Sequence, residues 1–153
     1  MKILGIRCSS KDFSFTVLNG KQESTNLIDT GTISFPKGYS DSDNLKWFHQ
    51  EIGGIITKHE IGGIGVKGVE PMAMKGKVYG ARMEKEGMIF LQASQNGIKY
   101  VKRKVKSTIA KDIGLKGKGK YLETKADFSS ISDYDKLSKN IQEAVQIAVS
   151  MLN

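Results

Sequence analysis

The order of periodicities along the chain constrains its architecture more than any single motif. Three strand patterns come first, and helical and strand patterns alternate after them. Residues 2–7 form an apolar run, expected as the most buried strand of the set. Residues 12–18 alternate Phe13, Phe15 and Val17 with Ser14 and Thr16, and Asn19-Gly20 supplies a turn signal. Residues 27–34, with Ile28, Thr30, Thr32 and Ile33, complete an expected antiparallel meander.

Ser40-Asp41-Ser42-Asp43 then reads as a helix start, with acids placed where the helix dipole favours them. Leu45, Phe48, Ile52, Ile55 and Ile56 recur at helical spacing to about Lys58. Gly53-Gly54 inside that helix costs about 1 kcal/mol per residue relative to alanine, so close packing is expected there. Residues 64–69 are short, apolar and glycine-flanked, which predicts a buried strand parallel to the first. A second helix is predicted over 74–95, with Val78, Ala81, Met88 and Leu91-Gln92-Ala93 turned inward, stopped by Asn96-Gly97. A strand over 98–103, a short helix over 107–112, a Gly-Lys loop over 114–120 and a last helix over 135–152 follow. That last helix is expected to bury Leu137, Ile141, Ala144, Val145, Ala148 and Leu152. A meander followed by alternating helices and strands predicts an α/β mixed sheet of five strands, three antiparallel and two parallel, flanked by helices. The chain is read as a single domain over residues 1–153.

Charge narrows the partners. The net charge is +8, and between Lys99 and Lys120 nine Lys or Arg residues face one acid, Asp112. A merely solvated face mixes its signs, so this segment predicts contact with a polyanion. Lys102, Arg103, Lys104, Lys106, Lys116, Lys118 and Lys120 are the expected phosphate contacts. Tyr100 and Tyr121 bracket them, as stacking partners for unpaired bases or as packing groups. Gly117-Lys118-Gly119-Lys120 lacks the spacing of a P-loop and reads as a flexible lysine loop. No apolar run approaches the roughly 18–20 residues that span a bilayer, and the first residues lack a signal-peptide pattern. Cys8, the single cysteine, agrees with a reducing compartment, so a cytoplasmic location without membrane contact is expected.

Four segments resemble the RuvC-type Holliday-junction resolvases, which share the ribonuclease H-like fold. They are Ile3-Leu4-Gly5-Ile6 with its polar turn, the run from Val69 to Lys77, the run from Glu84 through Asn96-Gly97-Ile98, and the run from Val105 to Lys111 with the following Gly-Lys loop. The resemblance implies that fold and a homodimer, since that family's second helix contributes to dimerisation. It also implies a nuclease site in which four carboxylates hold two Mg²⁺ that activate water. The corresponding positions here are Arg7, Lys67, Asn140 and Glu143, of which only Glu143 is acidic. Mg²⁺ is ordinarily bound through carboxylates in near-octahedral oxygen coordination. Two cations in one pocket repel it, each by about 4 kcal/mol per unit of ionic charge at 4 Å and an effective dielectric of 20.

The leading expectation is therefore a catalytically degenerate RuvC-like protein with no cofactor, binding structured or single-stranded nucleic acid. Arg7, Lys67 and Glu143 would form an ion-pair cluster that fills the metal's place or, in a sharper form, holds a phosphate. A second reading is a Mg²⁺-dependent, structure-selective endonuclease with a rearranged acidic site. In that case Glu70 swings in beside Glu143, with Asp12, Asp127, Asp133 and Asp135 in reserve. A third is a protein-interaction module that keeps only the fold. Other chemistry is weaker. His49 and His59 lie about 15 Å apart in helical rise, too far to share a metal. Cys8 is either activated by Arg7 or, more commonly for a strand cysteine, buried and inert. Trp47 is a candidate to cover a partner surface, and Met72, Met74, Met83 and Met88 read as core or interface filler.

Overall fold

The computed structural model describes residues 1–153. Its elements are β1 (Ile3–Cys8), β2 (Asp12–Lys21), β3 (Ser24–Ser34), α1 (Asp41–His59), β4 (Gly63–Lys67), α2 (Lys77–Gln95), β5 (Tyr100–Lys104), α3 (Lys106–Asp112), α4 (Tyr121–Thr124) and α5 (Lys139–Val149). A 3₁₀ turn over Tyr134–Lys136 precedes α5. The five strands form one sheet in the order β3-β2-β1-β4-β5. β1 pairs antiparallel with β2 and parallel with β4, and β4 pairs parallel with β5. The predicted mixed sheet and its flanking helices are thus present.

Pleating sends alternate side chains of β1 and β4 to two separate cores. Leu4, Ile6, Cys8, Ile64 and Val66 join Phe13, Phe48 and Ile52 of the core under α1 and α2. Phe13 meets Phe48 edge-on at 4.9 Å between ring centres. Trp47 packs edge-on against Phe13 and Phe35 and so belongs to this core's margin. On the opposite face, Ile3 packs with Val145, Ile147, Ala148 and Leu152 around α5. Two glycines admit that helix. A Cβ on Gly5 would stand 2.0 Å from the Ala144 carbonyl oxygen, and one on Gly65 would stand 2.7 Å from Ile147 Cγ1. Close approach here fixes where the next side chains on this face, Arg7 and Lys67, meet α5.

Several boundaries differ from expectation, each for a local reason. Asn19-Gly20 does not turn; both lie within β2, and the reversal falls at Gln22 and Glu23, where the Thr25 hydroxyl donates to the carbonyls of Lys21 and Gln22. Gly20 instead supplies a positive φ of 104° just before the hairpin. α1 starts as predicted, with Ser40 Oγ accepting from the Asp43 amide. Within it only Gly53 is packed, 2.5 Å from Gln92 Nε2 at its notional Cβ, whereas Gly54 faces open space. α2 begins at Lys77 rather than residue 74, behind the extended, uncapped Gly76.

The predicted inner face of α2 is also wrong in part. Val78 and Leu91 are exposed, and the buried set is Arg82, Lys85, Glu86, Ile89, Gln92 and Ala93. Met72 and Met74 are 95% and 94% exposed, so they are not core filler. The predicted last helix is broken at Leu137, which is extended, and α5 starts only after Ser138 caps it through the Ile141 amide. The short helix α4 had no periodic signal. No helix is long and apolar enough to cross a membrane.

Candidate functional site

Ile6 pairs in register with Val66, so the next residues, Arg7 and Lys67, stand side by side where the two central strands end. Both follow a glycine by two positions and therefore point to the α5 face. Glu143 precedes Ala144, the residue seated on Gly5, and this brings its carboxylate to Arg7. Arg7 Nε donates to Glu143 Oε2 at 2.8 Å, and Arg7 Nη1 donates to the Cys8 carbonyl at 2.8 Å. Lys67 is only 3% exposed; its Nζ donates to the Gly68 carbonyl and lies 3.7 Å from Glu70 Oε1.

The cluster extends on both sides. Glu70 Oε1 accepts from the Lys106 amide at 3.0 Å, tying the segment after β4 to the start of α3. Lys106 Nζ lies 3.4 Å from Glu123 and 4.0 Å from Glu143 Oε1. Behind the strand ends, Arg82 Nη2 donates to the Lys67 carbonyl. Cations and carboxylates thus alternate from Arg7 to Glu123.

Protonation follows from this packing. Burial alone would raise the Glu143 carboxyl, but the Arg7 hydrogen bond and the charges of Lys67, Arg7 and Lys106 together hold it below the usual carboxylate range. Burial lowers the Lys67 ammonium, against the opposing pull of Glu70 and Glu143. Arg82 is lowered by burial and by Arg7 nearby. The Cys8 thiol is fully buried and pushed up to about 12, first by desolvation and then by Glu86, which outweigh Arg7 and Arg82. Cys8 is a core residue, not an activated thiol.

Of the four positions that the resemblance ties to metal carboxylates, Arg7 and Glu143 are in contact, while Lys67 stands beside Arg7 with its ammonium on Glu70 and the Gly68 carbonyl rather than on Glu143. Asn140 sits one turn earlier on α5 and lines a separate shallow hollow with Asp12, Ser14 and Thr32. No group of three or more His, Cys, Asp or Glu side chains is placed to hold a metal ion. Glu143 and Glu70 are each already engaged by cations or amides. This donor set does not fit Mg²⁺.

The lysine-rich segment divides into two kinds of cation. Arg103 Nε donates to Glu86 at 2.7 Å and its guanidinium covers Phe90. Lys104 is held by the Ser150 carbonyl and by Asp112 at 2.8 Å, and Lys106 belongs to the cluster above. Lys102, Lys116, Lys118 and Lys120 are exposed. Lys118, Lys120 and Lys125 surround the Tyr121 ring at 5.7, 5.9 and 4.0 Å. Tyr100 is a packing residue whose hydroxyl donates to the Met151 carbonyl. Sequence reasoning missed Arg82, Glu86, Glu123 and Lys125. The first two were findable, since they share a helical face with Ile89 and Ala93.

Comparison with solved structures places the fold. RuvC from T. thermophilus, in complex with a Holliday junction substrate, superposes with a TM-score of 0.75 over 98% of this chain and 91% of its own, at 10% identity. Another T. thermophilus RuvC structure gives 0.73 over 98% and 92%, at 13% identity. The fold is RuvC-like. The yeast mitochondrial Holliday junction resolvase is more distant, at 0.62 over 97% of this chain and 78% of its own, with 12% identity. No protein-family model and no curated protein sequence matches the chain. Within this fold, Arg7 and Lys67 stand at the ends of the neighbouring strands β1 and β4, and Glu143 of α5 reaches Arg7.

Proposed function

We propose that this is a RuvC-like protein in which an ion-pair cluster takes the place of the metal centre, and that it binds structured or single-stranded nucleic acid without cutting it. The observation that carries the reading is the 2.8 Å Arg7–Glu143 pair with buried Lys67 beside it. A divalent cation would have to displace Arg7 from the one carboxylate both need, against the repulsion of Lys67 and Lys106. No cofactor is required in this role.

Binding rests on the exposed cations Lys102, Lys116, Lys118 and Lys120, and on the net charge of +8. Arg103, Lys104 and Lys106 contribute field more than contact, because their charged heads already serve internal partners. Fluorescence anisotropy with a four-way junction and with a single strand tests this. Affinity should fall steeply with salt, and each exposed lysine removed should lower the log–log slope by roughly one. Removing Lys104 should leave the slope nearly unchanged. Affinity that is flat from low to moderate salt would sink the proposal.

A specific observation also favours self-association. Met72, Met74 and Val78 present apolar surface at the start of α2 and on the loop before it, which suits a homodimer built on that end of the helix. Sedimentation of wild type against Met72→Ser/Met74→Ser/Val78→Ser checks it: a dimer that becomes a monomer is the expected result, and a wild-type monomer at all concentrations refutes it.

A further inference from the structure

The Gly-Lys segment between α3 and α4 is not the loose loop its composition suggests. Lys116 and Gly117 take positive φ of 55° and 78°, and the Tyr121 and Leu122 amides donate back to the carbonyls of Lys118 and Gly119. Gly119 lies against the start of α3, where a Cβ on it would stand 2.9 Å from Lys106 Cβ, and Leu122 is buried. Both acids between Lys99 and Lys125 are taken by inner cations: Asp112 pairs with Lys104 at 2.8 Å and Glu123 with Lys106 at 3.4 Å. Lys111, Lys116, Lys118, Lys120 and Lys125 are left exposed and form no ion pair. The half-buried ring of Tyr121 stands among them, with the Lys118, Lys120 and Lys125 ammonium groups 5.7, 5.9 and 4.0 Å from its centre. Tyr100 and Tyr134 are held in the fold by hydrogen bonds at their hydroxyls, whereas the Tyr121 side chain makes none.

A row of uncompensated ammonium groups attracts a polyanion. One aromatic ring among them adds a surface that a duplex cannot use, because its bases are already stacked on one another. An unpaired strand offers both parts at once, phosphates along its backbone and a free base face. We propose that Tyr121 stacks an unpaired base of a bound single strand while Lys118, Lys120 and Lys125 move onto neighbouring phosphates. The lysines that now rest on the ring do not prevent this. A cation–π contact at an exposed site is weaker than base stacking on the same ring, and each displaced ammonium gains a phosphate. A free mononucleotide would engage one or two of the five lysines and leave the rest of the row unused. The Tyr121 site, which rests on the nucleic-acid reading above, narrows the ligand to an unpaired strand of any sequence, since every base has a π-face.

Two strands of equal charge isolate the stacking from the charge. They are an end-labelled thymidine decamer and the same decamer with a tetrahydrofuran abasic residue in place of every nucleoside, each titrated with the full chain by fluorescence anisotropy across salt. Wild type should bind the thymidine strand at least about fivefold tighter than the abasic one. Tyr121→Leu should abolish that difference and leave the abasic affinity unchanged, whereas Tyr121→Phe, which keeps the ring, should stay within about twofold of wild type. Lys125→Gln should weaken both strands and lower both log–log salt slopes by about 0.7, the single-strand value. Equal, salt-steep affinity of wild type for the two strands overturns the stacking and leaves charge-driven binding standing; an equal loss on both strands in a folded Tyr121→Leu variant does the same. Affinity for both strands that is flat with salt overturns the stacking together with the nucleic-acid reading. The wild-type comparison decides even if Tyr121→Leu fails to fold.

Discussion

Replacing Glu143 with glutamine keeps the shape of the central cluster and removes its charge. Arg7 and Glu143 side chains are 20% and 10% exposed, so the pair lies mostly out of water. Breaking a buried pair by removing one partner costs about 3–5 kcal/mol, because the other charge is left uncompensated. Arg7 keeps its bond to the Cys8 carbonyl and some water, which reduces the figure to about 2–3 kcal/mol for Glu143→Gln. With a urea slope of about 2 kcal/mol/M, the unfolding midpoint should fall by about 1–1.5 M at unchanged slope. Arg7→Gln combined with Glu143→Gln should recover part of the loss, as coupled partners do. A single-variant loss under about 0.5 kcal/mol, or strict additivity in the double variant, would refute the claim that the pair holds this corner together.

Further outcomes follow from the same packing. Because Arg7, Lys67 and Lys106 depress the Glu143 carboxyl below its ordinary 4.5, its stabilisation is complete above about that pH and is lost as pH falls through the lower folded value. The stability gap between wild type and Glu143→Gln should therefore be widest near neutrality and shrink in acid, as urea melts across pH 3–7 would show; a constant gap contradicts it. Gly5→Ala, whose Cβ meets the Ala144 backbone, should cost about 3 kcal/mol or more, whereas Gly54→Ala, facing open space, should stabilise by up to about 1 kcal/mol. Cys8, pushed up to about 12, should react with a thiol reagent only at the rate of unfolding, and prompt modification of the native protein would argue otherwise.

The sheet was legible in the sequence because β1, β2 and β4 carry apolar patterns that tertiary contacts reinforce. α1 was legible through Ser40 and its isoleucines. α2 was misread because its buried face is built from Arg82, Lys85 and Glu86, which any hydrophobicity pattern assigns to solvent. The Asn19-Gly20 signal failed because a glycine that tolerates positive φ serves a strand end as readily as a turn. The break at Leu137 escaped because the apolar spacing runs on across it, and only Ser138 marks the true start of α5. Within the site, Arg7, Lys67 and Glu143 were named from resemblance, but their contacts depend on Gly5 and Gly65 admitting α5. The charge run from Lys99 to Lys120 gave no hint that Lys104 and Lys106 are engaged within the fold, since Ser150, Glu123 and Glu143 are distant in sequence and nothing marked Asp112, inside the run, as the partner of Lys104.

A single gel tests the central claim most directly. Purified protein is mixed with an end-labelled four-way junction in Mg²⁺ or Mn²⁺ and run in native and denaturing lanes. The account predicts a shifted complex whose strands remain full length. Product bands that disappear with Glu143→Gln would contradict it and restore metal-dependent cleavage to this fold.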